Sequence, residues 1–248
     1  MTADSDEEIE GLKRIGRFVG QTLQEMIKAL KPGMTTKDLD QVGQAFMRAN
    51  GVRSAPILVY QFPGHTCISI NDEAAHGIPG NRVVQPGDLV NIDVSAELDG
   101  YFADTGATVP VPPVRPELQK LCDFTRSALK KALEAARAGN PINAIGKAVE
   151  TEARRGGFNI IAALNGHGVG HSLHEEPHFI PNFFNSRDRR PLKAGMVIAI
   201  EPFLTPGNGQ VVNGSDGWTI RTADGSYLAQ YEHSVIVTNG KPIILTQA

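Results

Sequence analysis

A chain of 248 residues, 41% hydrophobic and 21% charged, can bury a large core and has the composition of an ordinary globular domain. Its net charge of −3 gives no global pull towards nucleic acid or an anionic membrane, and no apolar run reaches membrane-spanning length. Two cysteines, Cys67 and Cys122, exclude a disulfide framework, and the opening M-T-A-D-S-D-E-E is acidic where a secretory signal is basic and then apolar, so a cytoplasmic protein is expected.

From Ile9 to Leu30 apolar residues step by three and four, which predicts an amphipathic helix capped by Asp4 or Ser5 and stopped by Lys31-Pro32-Gly33. A second helix follows Thr35 or Thr36 and closes at Gly51. Pro56–Tyr60 and Cys67–Ile70 read as short strands, and Asn71–Gly80 as a loop carrying His76. Leu89 to Leu98 alternates, and Asp99-Gly100 is the pair that favours a two-residue hairpin. That register sets Leu98 against Tyr101, Asp93 against Gly106 and Ser95 against Asp104. Asp93 and Asp104 then share one face, about 7–8 Å apart along a diagonal. Beyond the Pro112-Pro113 linker come a helix over 116–138, a second starting at Asn140-Pro141 and reaching Arg155, and a strand from Met196 to Ile200 leading to Glu201. A last strand pair holds Tyr231-Glu232-His233 and Val235–Val237.

The order helix, glycine, helix, glycine, acidic strand occurs twice. Gly33 and Gly87 mark it first, with Asp93 six places after Gly87; Gly139 and Gly195 mark it again, with Glu201 six places after Gly195. A duplicated, α+β architecture is expected: one domain over 1–248 with pseudo-repeats of about 7–110 and 116–240. Two such halves packed about an approximate dyad would bring Asp93 and Glu201 together at the centre.

Between Asn165 and Pro177 lies N-G-H-G-V-G-H-S-L-H-E-E-P, with three histidines and two glutamates in thirteen residues. Alternate glycines allow positive φ or close backbone approach, and imidazole is both proton carrier and metal ligand. The hairpin offers Asp93 and Asp104, the equivalent strand Glu201, a later strand Glu232, and the glycine loop His167. Several carboxylates buried together are costly unless paired or metal-bound, and Lys and Arg cluster elsewhere. A divalent cation is the natural neutraliser, and four carboxylates can hold two ions at hydrolytic spacing. An oxygen-rich set with one imidazole suits Mn, Fe or Co at least as well as Zn.

These segments carry a resemblance. C-I-S-I-N-D-E-A-A-H-G-I-P-G at Cys67–Gly80, N-I-D-V at Asn91–Val94, D-G-Y-F-A-D-T-G at Asp99–Gly106, G-H-G-V-G-H-S-L-H-E-E-P at Gly166–Pro177, A-I-E-P at Ala199–Pro202, D-G-W-T at Asp216–Thr219 and Q-Y-E-H at Gln230–His233 together resemble the type I methionine aminopeptidases, of the pita-bread metallopeptidase family. The resemblance implies two pseudo-symmetric halves with a central antiparallel sheet and outer helices. It implies a two-metal centre (Co, Mn, Fe or Zn) held by Asp93, Asp104, His167, Glu201 and Glu232. Asp104 and Glu232 would bridge the ions, and water activated there would attack the peptide carbonyl, with Glu201 as general base and then acid. His174 would hold the scissile carbonyl and its oxyanion, and His76 the amide nitrogen. A methionine pocket would involve Val59, Phe62, Cys67 and Trp218, with Leu173 at its entrance. Val59 and Leu173 stand where the family pattern has aromatic residues, which bears on side-chain preference.

The expected activity is removal of initiator methionine from nascent polypeptides with a small second residue. An X-Pro peptidase is the enzymatic alternative, but such enzymes usually carry a large N-terminal domain that this sequence does not show. A non-catalytic binding protein of the same fold would be expected to have lost metal ligands, and all five are in place. The run Ser186 to Arg190 reads as a solvated loop, with transient ribosome contact as the alternative. A monomer is expected, with no specific nucleic-acid or membrane partner.

Overall fold

The computed structural model describes residues 1–247. Helix α1 spans Asp6–Ala29 and α2 Thr36–Ala49. Each opens on a capping box, Ser5 with Glu8 and Thr35 with Asp38, so the sequence's alternatives resolve to Ser5 and Thr35. Then come β1 (Arg53–Ser54), α3 (Ala55–Tyr60), β2 (Cys67–Ile70), β3 (Glu73–Ala75), β4 (Leu89–Leu98) and β5 (Tyr101–Pro110). The second half has α4 (Pro116–Ala135), α5 (Asn143–Gly156), β6 (Asn159–Ile160), β7 (Gly166–Gly168), β8 (Glu175–Ile180), β9 (Val197–Ile200) and β10 (Phe203–Thr205). The chain continues with β11 (Val211–Asn213), β12 (Ile220–Thr222), β13 (Ala229–Gln230), β14 (His233–Ile236) and β15 (Ile243–Ile244).

Two antiparallel sheets carry the molecule. In one, β4 pairs with β5 along one edge and with β2 and β1 along the other; the second runs β15-β14-β9-β7-β8. Each buries its apolar face under its own helix pair. Ile15, Val19, Leu23 and Leu39 of α1 and α2 pack with Ile68, Val90 and Ile92. Leu121, Leu129, Ile145 and Val149 of α4 and α5 pack with Ile198, Ile200 and Val235. The sheets meet where β5 docks on the segment around β14: Glu232 N–H donates to the Gly106 carbonyl at 2.9 Å, and the amide of Asp104 donates to Ser234 Oγ at 2.9 Å. No helix among the described residues is long and apolar enough to cross a membrane.

The β4–β5 hairpin keeps an unbroken register from Leu98↔Tyr101 to Leu89↔Pro110, with Asp93↔Gly106 and Ser95↔Asp104 as the turn chemistry predicts. Three expectations are corrected. Pro56–Tyr60 is helical, not a strand: Pro56 falls in the first turn, where its missing N–H costs nothing, and Gln61 ends the helix at φ 57. The segment 71–80 is not all loop, because β3 pairs with β12. The helix after Asn140-Pro141 begins only at Asn143.

Candidate metal centre

Asp93 on β4 and Asp104 on β5 face the seam from the first sheet. From the second come His167, central in β7, Glu201, directly after β9, and Glu232, between β13 and β14. The glycines beside His167 act by close approach: a Cβ on Gly166 would collide with the Ala199 carbonyl, and one on Gly168 with the Glu176 carbonyl. Only without side chains can β7 sit between its neighbours and carry His167 inward.

One oxygen each from Asp104 and Glu232 and one nitrogen of His167 all lie within 4.8 Å of one another. His167 Nε2 is 3.8 Å from Asp104 Oδ2 and 3.8 Å from Glu201 Oε1. Asp104 Oδ1 and Glu232 Oε1 are buried without a hydrogen-bond partner. Such orphaned anionic oxygens are costly unless something positive meets them. A divalent cation fits this donor set: several carboxylate oxygens, one imidazole nitrogen and no thiolate among the converging groups.

The electrostatics agree. Burial pushes Asp93 up to about 6, and burial and then the neighbouring acids push Asp104, Glu201 and Glu232 well above the ordinary carboxylate range. Burial lowers His167 to about 4, so its imidazole is neutral. Its Nδ1 lies 3.0 Å from the Gly168 carbonyl, which can only accept; the proton is therefore on Nδ1, and the Nε2 lone pair faces the carboxylates. Behind them, Asn91 Nδ2 donates to Gln230 Oε1 at 2.8 Å, and Gln230 Nε2 donates to Glu232 Oε2 at 3.1 Å. Gln230 passes over Gly106, where any Cβ would strike it. The sequence reading missed this support, although Asn91 and Gln230 lie inside the quoted N-I-D-V and Q-Y-E-H segments.

Two cavities open on the cluster. One, of about 230 Å³, has apolar walls from Pro56, Tyr60, Phe62, Cys67, Leu173 and Trp218. Phe62 and Trp218 meet edge to face at 5.2 Å. The cavity is below the ~300–1,000 Å³ of a typical ligand site, and suits a single side chain. The other, of about 190 Å³, is bounded by Ala74, Ala75, Leu164 and Phe203, with Asn165, His178 and Gln230 among its polar groups. His76, Asp93, His167, His174 and Glu201 line both.

Phe62, Cys67, Leu173 and Trp218 line the first cavity, but Val59 does not. It is 41% exposed on α3 and lies outside the cavity wall, because the helical turn brings Pro56 and Tyr60 to that side instead. Burial pushes the Cys67 thiol well above its ordinary value, so it is no thiolate. His174 stacks near His167 at 4.1 Å between centroids, and its Nδ1 lies 2.7 Å from Tyr60 Oη. His76 sits at φ 55, a left-handed conformation that aims it at the space both cavities share. Of the other histidines, His171 lies against Tyr101, His233 bonds Thr246, and His178, which approaches Glu176, reaches only the wall of the second cavity.

Known proteins place this arrangement. The model of metallopeptidase family M24 matches residues 10–239. A methionine aminopeptidase 2 of Bacillus subtilis is 47% identical over 248 residues, covering 100% of both chains. A methionine aminopeptidase structure from Thermotoga maritima superposes with a TM-score of 0.96 at 33% identity, covering 100% of each chain. A prolidase from Pyrococcus furiosus shares the fold at TM-score 0.79 and 22% identity, and the chain covers 66% of it. The architecture is therefore the pita-bread fold, and the chain, whose buried acid–imidazole cluster could hold a divalent ion, belongs to metallopeptidase family M24.

Proposed function

We propose that this protein removes the N-terminal methionine from polypeptides whose second residue is small. The observation that carries the reading is the pair of cavities flanking one polar floor. A methionine side chain fits the apolar cavity walled by Phe62, Cys67, Leu173 and Trp218; the next residue enters the second cavity, bounded by Ala74, Ala75, Leu164 and Phe203. The scissile bond then lies over the residues common to both. The relatives named methionine aminopeptidase support the same substrate.

Asp93, Asp104, His167, Glu201 and Glu232 would hold two divalent ions, of Co, Mn, Fe or Zn. Bound divalent cations supply Lewis-acid polarisation of the carbonyl and lower the pKa of water. Glu201, at the end of β9 and in both cavity walls, takes the proton of the attacking water and returns it to the departing amine. His174 Nε2 donates to the carbonyl oxygen as charge builds there. His76 reaches the amide nitrogen from the other wall. The apolar walls hold the side chain and exclude bulk water.

The protein works, in this reading, as a cytoplasmic monomer on emerging chains. Pseudo-repeats of about 7–110 and 116–240 in one domain are supported by Gly33, Gly87, Gly139 and Gly195, which share φ values of 88, 91, 88 and 86°. Arg190 bonds Asp188 at 2.7 Å and the Phe179 carbonyl at 2.7 Å, which favours a self-paired loop over a ribosome contact at 186–190. Met-Ala-Ser and Ala-Pro peptides, assayed with added divalent metal, test the substrate. Release of methionine from the first and inertness of the second are expected; preferential cleavage of Ala-Pro, or metal binding without turnover, overturns the reading.

A further inference from the structure

Tyr60 lies outside the residues the sequence singled out, yet its hydroxyl makes the one side-chain hydrogen bond that His174 forms among the described residues. We infer that Tyr60 is a positioning residue for His174: its O–H donates to Nδ1, so the imidazole carries its proton on Nε2, the nitrogen left for the cavity. This rests on the reading of His174 as donor to the scissile carbonyl.

The segment carrying Tyr60 is not fixed by burial. Ile57, Leu58, Val59 and Tyr60 are 39–45% exposed, and only Ala55 and Pro56 of α3 are buried. What ties the end of this short helix to the loop before β8 is the 2.7 Å approach of Tyr60 Oη to His174 Nδ1, with ring centroids 5.6 Å apart. A hydroxyl can donate or accept, so distance alone leaves the direction open. Acidity decides it. The phenol is the stronger acid of the pair and an imidazole nitrogen the stronger base, so the hydrogen stays on oxygen and Nδ1 accepts.

The neighbouring imidazole shows the opposite device. His167 gives its Nδ1 proton to a backbone carbonyl at 3.0 Å and keeps Nε2 bare towards the carboxylates. His174, 4.1 Å away between ring centroids, has its Nδ1 occupied by a donor, which leaves an N–H on Nε2. Two neighbouring rings are thus held as opposite tautomers, one to accept a cation and one to donate to an oxyanion. Tyr60 sets the second.

Tyr60→Phe keeps the ring and removes the donor. On Met-Ala-Ser its kcat should fall about three- to ten-fold, the span of one hydrogen bond of ordinary strength, with KM nearly unchanged. In a His174→Ala background the same substitution should cost nothing further. Nitrogen NMR of imidazole-labelled, zinc-loaded protein should show His174 protonated on Nε2, and the Tyr60→Phe spectrum should move towards mixed tautomers. A rise in KM at constant kcat, equal losses in both backgrounds, or a proton on Nδ1 in the unaltered protein each overturns the inference. Should the unaltered protein leave Met-Ala-Ser intact, the proposed function fails instead, and the NMR comparison still decides the role of Tyr60.

Discussion

Asp104 and Glu232 approach each other from different sheets, and each buries a carboxylate oxygen that no donor reaches. Without a cation between them this is a destabilising contact, maintained by the docking of Glu232 N–H on the Gly106 carbonyl and of Ser234 on the backbone of Asp104. The fold therefore holds the two acids in place at a cost, and that cost can be measured.

Replacing Asp104 by Asn keeps the shape and removes one charge. Because burial and the neighbouring acids hold Asp104 well above its ordinary value, the metal-free variant should be more stable than the metal-free parent at pH 8. Its metal affinity should fall by about tenfold or more. Urea denaturation in chelator and metal analysis of the purified protein check the two halves; a less stable metal-free variant contradicts the account.

The pH dependence has a definite sign. Asp93, Asp104, Glu201 and Glu232 hold protons in the folded state that the unfolded chain has released, so their contribution to stability is complete below about pH 4 and is lost as pH rises. His167 and His233, lowered to about 4, act oppositely, but their contribution is fully present above the unfolded value of 6.5. Between about pH 6.5 and 8.5 Asp104, Glu201 and Glu232 outweigh the one opposing group, the Met1 amine lowered by burial, and the denaturation midpoint in chelator should fall. Added divalent metal should flatten that slope. A midpoint that climbs with pH in chelator would count against the site.

Glu201→Gln is nearly isosteric, and the backbone carbonyl of Glu201 keeps its bond from Asn182 Nδ2 at 3.0 Å. The fold should survive, with an unchanged circular dichroism spectrum, while kcat drops about 10²–10⁴-fold as the proton carrier is lost. Undiminished cleavage by this variant removes Glu201 from the proton path.

Gly33 and Gly139, which the proposed repeat makes equivalent, both have φ 88°, and a Cβ on either would meet nothing within 4 Å. Their alanine variants isolate backbone strain from packing. Each should lose about 1–2 kcal/mol, and by the same amount within error if the halves are true repeats. Thermal unfolding of the two variants, side by side, supplies the comparison.

Much of this was legible before any coordinates, for identifiable reasons. Asp99-Gly100 specifies a two-residue turn, and with period-two pleating that fixes Asp93 and Asp104 on one face. Gly87 and Gly195, each six places before an acidic residue, are both left-handed, at φ 91 and 86°. Tyr60 was not legible. P-I-L-V-Y is too short for its period to distinguish strand from helix, its β-branched and aromatic residues favour a strand, and only Pro56 at a helical first turn pointed the other way. Asn91 and Gln230 were missed because they touch across the seam between sheets, a contact no local pattern encodes.

The continuous ladder between β4 and β5 has one further consequence. Every residue from Leu89 to Leu98 has its partner across the hairpin, so the Cα positions beneath Asp93 and Asp104 are fixed by paired backbone. In the proposed site, a change of ionic radius would be taken up on this side by rotation of these two carboxylates. Swapping one divalent ion for another should alter turnover while leaving the polypeptide frame undisturbed, so the cell's supply, more than the scaffold, selects the ion.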